Sequence, residues 1–257
     1  MDLELGGKAA LISGSSKGIG YHIARGLAAE GCHVVLNGRD EETLAQARAG
    51  IEVLGGGRVA TCLGDVTEPG TAQAFVETAL AAFGRIDVLV NNVGGSTPKL
   101  LVEDTDEDWE TAFSFNLFHA VRLARLCIPV MTQVGGGAIL NIASIAGRES
   151  GSAMTYNASK AALISFSKAL AQQTAKDNIR VNSLAPGSIF FPGGVWDRRK
   201  AASPDGLQGF VEANMPLGRF GTPEEIANVA VFMVSPRASL VHGACWNVDG
   251  CQSRSNI

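Results

Sequence analysis

The chain has 257 residues, 46% of them hydrophobic, and a mean hydropathy of +0.15. That is room for one large α/β domain or two small ones with a sizeable core, and it argues against long disorder. A formal net charge of −4 and a pI near 5.6 speak against a nucleic-acid or anionic-membrane surface. No apolar run approaches the ~20 residues of a membrane span. The acidic start Met1-Asp2-Leu3-Glu4-Leu5 lacks the basic residues and apolar core of a signal peptide. Five cysteines (Cys32, Cys62, Cys127, Cys245, Cys251) form no C-x-x-C pair, and an odd number suits no disulfide framework. Three of them sit inside apolar runs, where buried free thiols are the ordinary reading, and the cytoplasm is the default address.

In chain order, short apolar runs alternate with helical patterns. Residues 8–13 read as a strand, 18–30 as a helix, 33–37 as a strand, 40–53 as a helix, 58–63 as a strand and 69–83 as a helix. The rhythm continues with strand 88–91, helix 106–132, strand 138–142, helix 156–176, strand 180–184, helix 223–235 and strand 244–248. Most of the strands lack period-two alternation, as expected when both faces are covered. Asp40 stands where it would cap the helix that follows, and Thr222-Pro223-Glu224-Glu225 carries an N-cap, a first-turn proline and a capping-box glutamate. The runs Gly55-Gly56-Gly57 and Gly135-Gly136-Gly137 end helices. There is no linker, repeat or low-complexity segment. The pattern predicts a single α/β domain over 1–257, one doubly wound Rossmann-type parallel sheet with helices on both faces. The stretch 187–215 breaks the rhythm and reads as a long loop, a substrate lid.

Three local features carry chemistry. Ser13-Gly14-Ser15-Ser16-Lys17-Gly18-Ile19-Gly20 joins the first strand to the first helix, where glycines let a pyrophosphate approach backbone amides at a helix N-terminus. Its spacing, Gly-x-x-x-Gly-x-Gly, departs from Gly-x-Gly-x-x-Gly. In Tyr156-Asn157-Ala158-Ser159-Lys160 a phenol and an ammonium stand four apart on one helix face. A cation about 4 Å away contributes on the order of 4 kcal/mol at an effective dielectric near 20, which would lower a phenol's pKa by roughly two to three. Ser144 ends an earlier strand. The histidines, His22, His33, His119 and His242, show no ligand spacing, so no metal is expected.

With these motifs the chain resembles the short-chain dehydrogenase/reductase family over nearly its whole length. Asp65-Val66 stands where the family's aspartate meets the adenine ring, and Asn91-Asn92-Val93-Gly94 matches its Asn-Asn-Ala-Gly. Asn116, Ser144, Tyr156 and Lys160 match its catalytic tetrad, and Pro186-Gly187 follows the sixth strand. The resemblance implies cofactor contacts at Gly14, Ser16, Lys17, Gly18, Ile19, Gly20, Arg39, Asp65, Val66, Asn92, Gly94, Tyr156, Lys160, Pro186, Gly187 and Ile189. It also implies a homotetramer that packs the 106–132 and 156–176 helices against a second subunit. Small residues (Ala158, Ala161, Ala162, Ser165, Ala169) would allow close approach, though an intrachain contact would use them too. The chain departs from the family in two places. Ser144 and Tyr156 are 12 apart where 13 is usual. Phe190-Phe191 replaces the threonine that holds the nicotinamide amide, which leaves backbone of Ile189 as the substitute anchor.

The end of the second strand, Leu36-Asn37-Gly38-Arg39, places no carboxylate where a ribose 2′-hydroxyl would want one. Arg39 and Lys17 suit a 2′-phosphate, so NADP is expected before NAD. The resemblance implies hydride transfer between the nicotinamide and a carbonyl or secondary alcohol carbon. Tyr156 would hand its proton to the carbonyl oxygen and Ser144 would hydrogen-bond that oxygen. Lys160 would lower the tyrosine's pKa and hold the ribose hydroxyls. Asn116 would position a water linking Lys160 to solvent, or else bond only to backbone. Ile189, Phe190, Phe191, Val195, Trp196 and Phe210 offer an apolar roof. Asp197-Arg198-Arg199-Lys200 is either a solvated face or a contact for a phosphorylated carrier. The expected substrate is a ketone, a 3-oxoacyl thioester or similar. The alternatives are an NAD-linked alcohol, polyol or steroid dehydrogenase and, more remotely, a non-catalytic dinucleotide sensor.

Overall fold

In the computed structural model, which describes residues 1–96 and 99–256, seven parallel strands form one sheet in the order β3-β2-β1-β4-β5-β6-β7. They are β1 (Ala9–Ile12), β2 (His33–Gly38), β3 (Val59–Leu63), β4 (Val88–Asn91), β5 (Gly137–Ile142), β6 (Ile179–Pro186) and β7 (Cys245–Val248). The helices are α1 (Gly18–Ala29), α2 (Glu41–Glu52), α3 (Pro69–Phe83), α4 (Asp106–Phe113), α5 (His119–Gln133) and α6 (Met154–Thr174), then α7 (Val195–Ala202), α8 (Pro204–Asn214) and α9 (Pro223–Val234). Alternate residues of each strand feed two separate cores. Ile12, Leu36, Val90 and Leu140 pack under α1, α2 and α9. Leu11, Val35, Leu89 and Ile139 pack under α3, α5 and α6. Both faces being covered explains why the strands read as unbroken apolar runs.

The caps act as read. Asp40 Oδ1 accepts from Thr43 N at 2.9 Å, and Thr222 and Glu225 form a reciprocal capping box. All five cysteines are free thiols.

Two elements differ from the expectation. The 106–132 helix is interrupted: Ser114–Phe118 widens into a π turn between α4 and α5. The reason lies in Asn116, fully buried, whose Oδ1 accepts from Gly95 N (3.0 Å) while Nδ2 donates to Gly95 O (3.0 Å) and Ala112 O (2.9 Å). A π turn rotates one side chain out of helical register, and such turns collect at functional sites. The second correction concerns 187–215, which is not a structureless loop but carries α7 and α8. Trp196 and Phe210 lie 4.4 Å apart by ring centroid and Trp196 and Phe220 5.0 Å, an aromatic cluster that gives these short helices an apolar partner. Ser203 followed by Pro204 marks the start of α8; α7 has no apolar stripe, so periodicity could not reveal it.

Candidate active site

A cleft of about 1960 Å³ opens at the C-terminal ends of the strands. The sheet order reverses between β1 and β4, the place where doubly wound sheets bind ligands. The turn after β1 contributes Gly14, Ser16, Lys17 and Ile19, and the ends of β2 and β3 contribute Arg39, Asp65 and Val66. Asn92 and Gly94 follow β4, Ser144 follows β5, Pro186, Gly187 and Ile189 follow β6, and Tyr156 and Lys160 come from α6. Three expected site residues lie outside that lining. Gly18 borders a shallow neighbouring groove. Gly20 is buried against Asn92 and Gly14. Asn116 sits behind Gly94 and Gly95 with its amide spent on backbone groups.

The glycine turn is held by Ser13, Asn37 and Asn92, of which only Asn37 stands outside the family motifs. Asn37 Oδ1 accepts from Gly14 N at 3.3 Å, and its Nδ2 donates to Cys62 O and Gly64 O, both at 3.1 Å. Ser13 Oγ accepts from Asn92 N at 3.0 Å, while Asn92 Nδ2 donates to Ser13 O and Gly14 O at 3.1 Å. Strand ends β1, β2, β3 and β4 are thereby tied together beneath the turn.

One end of the cleft carries two cations. Lys17 is exposed on the turn, and the Arg39 guanidinium, 70% exposed, reaches Asp65 at 3.3 Å. Burial pushes the Asp65 carboxyl up, but bonds from Thr67 Oγ1 (2.7 Å) and N (3.0 Å), with Arg39, outweigh it and hold the group below its usual range. Both Asp65 oxygens thus already have donors. β2 ends in Asn37 and Gly38, with no carboxylate between it and Arg39.

At the other end Ser144, Tyr156 and Lys160 share one wall. The Ser144 hydroxyl, which accepts from Ala146 N at 3.1 Å, is the polar side chain that acts on the Tyr156 phenol. Lys160 lies with Nζ 5.7 Å from the Tyr156 ring centre and donates to Ile142 O at 2.8 Å. A Cβ at Gly94 would come within 2.7 Å of Lys160 Nζ and 2.8 Å of Asn116 Oδ1, so a larger residue there would displace one of these side chains. The expected electrostatics need correcting. Burial drives the Lys160 amine down to about 7, and burial raises the Tyr156 phenol, opposed only by the Ser144 bond. Desolvation favours the neutral form of both partners, so the phenol is held as a proton donor rather than as a phenolate.

Backbone around β6 bears on the missing threonine. Gly221 N donates to Ser188 O (3.1 Å) and Phe190 N to Gly221 O (3.0 Å). In such a bridge the N–H and C=O of Ile189 turn to the opposite side. Phe191 lies over Gly18. Of the apolar roof, Ile189, Phe191, Val195, Trp196 and Phe210 line the cleft, but Phe190 packs on Phe220 (6.0 Å) instead. Arg198 donates to Gly193 O, Arg199 stacks on Trp196 at 4.6 Å and Lys200 on Phe190 at 5.6 Å, so the basic run is partly engaged within the chain. Among the described residues no cluster of His, Cys, Asp or Glu could hold a metal ion. No helix there is long and apolar enough to cross a membrane.

A backbone turn at a helix N-terminus, cations at one end and a Ser-Tyr-Lys wall at the other fit a nicotinamide dinucleotide, and define an oxidoreductase. A family model described as "Enoyl-(Acyl carrier protein) reductase" matches residues 14–251. The chain belongs to the short-chain dehydrogenase/reductase family. It is 39% identical over 251 residues to a 3-oxoacyl-(acyl-carrier-protein) reductase of Chlamydia muridarum, across 97% of this chain and 99% of that one. The structure of L-sorbose reductase from Gluconobacter frateurii, complexed with NADPH and L-sorbose, superposes with a TM-score of 0.93 at 39% identity, covering 99% of this chain and 100% of that one. A 7α-hydroxysteroid dehydrogenase complexed with NADH and 7-oxoglycochenodeoxycholic acid gives 0.91 at 34% identity, covering 99% and 97%.

Proposed function

We propose that the protein is an NADP(H)-dependent ketone reductase acting on a 3-oxoacyl thioester or a similar ketone. The observation that carries it is one cleft with a Ser144-Tyr156-Lys160 wall at one end and Lys17 and Arg39, without a carboxylate at the end of β2, at the other. When bound, the nicotinamide supplies the hydride. The chain's own residues do the rest. The turn from Gly14 to Gly20 offers amides to the diphosphate. Arg39 leaves Asp65 to meet a 2′-phosphate, with Lys17 as second cation. Ile189 backbone takes the amide role of the absent threonine. Ser144 orients the carbonyl oxygen, Tyr156 gives it a proton, and Lys160, near neutrality in pKa, resupplies the phenol. Asn116, across Gly94 from Lys160, bounds the route by which that proton is replaced. The 187–215 segment acts as lid over the substrate, the enzyme is a homotetramer, and five free thiols suit the cytoplasm.

The reading is tested by a screen of carbonyl compounds against NADPH and NADH, followed by loss of reduced-cofactor absorbance. Tyr156→Phe should bind dinucleotide and lose turnover by ~10²–10⁴; turnover within about tenfold of the parent would remove Tyr156 from its role. A faster reaction with NADH would favour the second reading, an NAD-linked dehydrogenase, which the NADH-bound hydroxysteroid dehydrogenase structure keeps in view.

A further inference from the structure

The segment after β7 lies against the cleft. Cys251, Gln252, Arg254 and Ser255 line it, although they follow the last strand. Gln252 clasps the exit of β6: Oε1 accepts from Ser188 N at 2.7 Å and Nε2 donates to Ser188 Oγ at 2.9 Å. Gly187 is packed so closely that a Cβ there would meet Gln252 Oε1 at 2.7 Å and Asp249 Cβ at 2.8 Å. Asp249 shapes the tail by accepting from Cys251 N (3.0 Å) and Ser253 N (2.8 Å). The tail then reaches the other side of the site. Glu149 Oε2 accepts from Ser253 Oγ at 3.0 Å and Arg254 N at 2.8 Å. Finally, Asn157, next to the phenol in sequence, donates from Nδ2 to Ala146 O and Glu149 O, both at 2.6 Å.

We infer that the segment 249–256 is a positioning element of the active site, with Gln252 and Glu149 as its two fasteners. It sets the loop that leads into α6, and so to Tyr156, against the Gly187–Ile189 strap. The assignment rests on the proposed function, which places that strap at the nicotinamide end. Two observations argue for more than the docking of a loose end. The segment contributes no hydrophobic side chain to the core, so its placement depends on these polar bonds. Its bonds also go to the two loops that flank the reacting end, one after β5 and one after β6. A displacement of the strap by about 1 Å would misalign donor and acceptor carbons and can cost ~10²-fold in rate.

The test uses the full chain with Gln252→Leu, which keeps the bulk and loses the bonds, and Gln252→Glu, which keeps the acceptor for Ser188 N and lets the Ser188 hydroxyl donate where it had accepted. Gln252→Leu should lower kcat about tenfold or more while the KM for dinucleotide, set by its phosphates, moves less than about threefold. The isotope effect with 4-deuterated reduced dinucleotide should rise as hydride transfer becomes limiting. Gln252→Glu should recover kcat to within about threefold of the parent. Unchanged kcat and isotope effect in Gln252→Leu would overturn the inference. So would an equal loss in both variants accompanied by a lower unfolding midpoint. If the parent itself reduces no ketone, the proposed function falls and amide exchange decides the inference separately. Gln252→Leu should then speed exchange at 145–149 and 187–189, and unchanged protection would refute the positioning role.

Discussion

Lys160 is the residue on which charge and stability meet. Its amine ordinarily titrates at 10.5 and burial lowers it to about 7. Between those values the unfolded chain holds a proton that the folded chain does not, so unfolding free energy rises with pH, by at most ~1.4 kcal/mol per pH unit. Below about 7 both states are protonated and the buried charge weighs most on the fold. Lys160→Met should therefore be more stable than the parent near pH 6, with the advantage shrinking as pH rises towards 9; urea midpoints measured across that range check it. A gap independent of pH would show that the amine is solvated. Arg39 decides a different matter. On the proposed function, Arg39→Asp would remove a 2′-phosphate partner and supply a ribose acceptor. Since a charge-assisted bond is worth roughly 1.5–3 kcal/mol, the NADP/NAD ratio of kcat/KM should fall at least about tenfold. An unchanged ratio would leave the choice to Lys17 or to neither cation.

At the scale of elements, Trp196, Phe210 and Phe220 hold α7 and α8 together. The charged face of α7 is the part open to a partner. Arg198, Arg199 and Lys200 changed together to glutamate should raise KM for a 3-oxoacyl carrier substrate and leave a small uncharged ketone untouched, because surface cations hold only an anionic partner. The difference should fade above about 0.15 M salt, where the screening length is near 8 Å. Equal losses on both substrates would mean that the contacts of Arg199 with Trp196 and Lys200 with Phe190 had held α7 in place. The π turn is the other element with a consequence. It puts Asn116 behind Gly94–Gly95, so the loop after β4 is fastened from within the helix layer.

At the scale of the whole molecule, α6 presents Ala161, Ser165 and Ala169 as an exposed stripe of small side chains, and Phe118 beside it is 48% exposed. If α4, α5 and α6 meet a second subunit, light scattering should return the mass of four chains, and Ala161→Arg with Ser165→Arg should return a smaller assembly of folded subunits. Four chains in the double variant would place the interface elsewhere.

Local order in the chain determined most of the architecture. Strand runs, helix periods and the caps at Asp40 and Thr222 act within a few residues, so the sequence shows them directly. Tyr156 and Lys160 were legible for the same reason, because a helix sets their spacing. The chain alone did not disclose contacts between distant elements. Gln252 meets Ser188 across 64 residues and Ser253 meets Glu149 across 104, and Phe191 lies over Gly18. Nor could spacing reveal that both groups would be packed so that desolvation lowers the Lys160 amine and lifts the Tyr156 phenol. Such facts depend on how packed layers exclude water from a point, a property of the assembled fold and of no stretch of sequence.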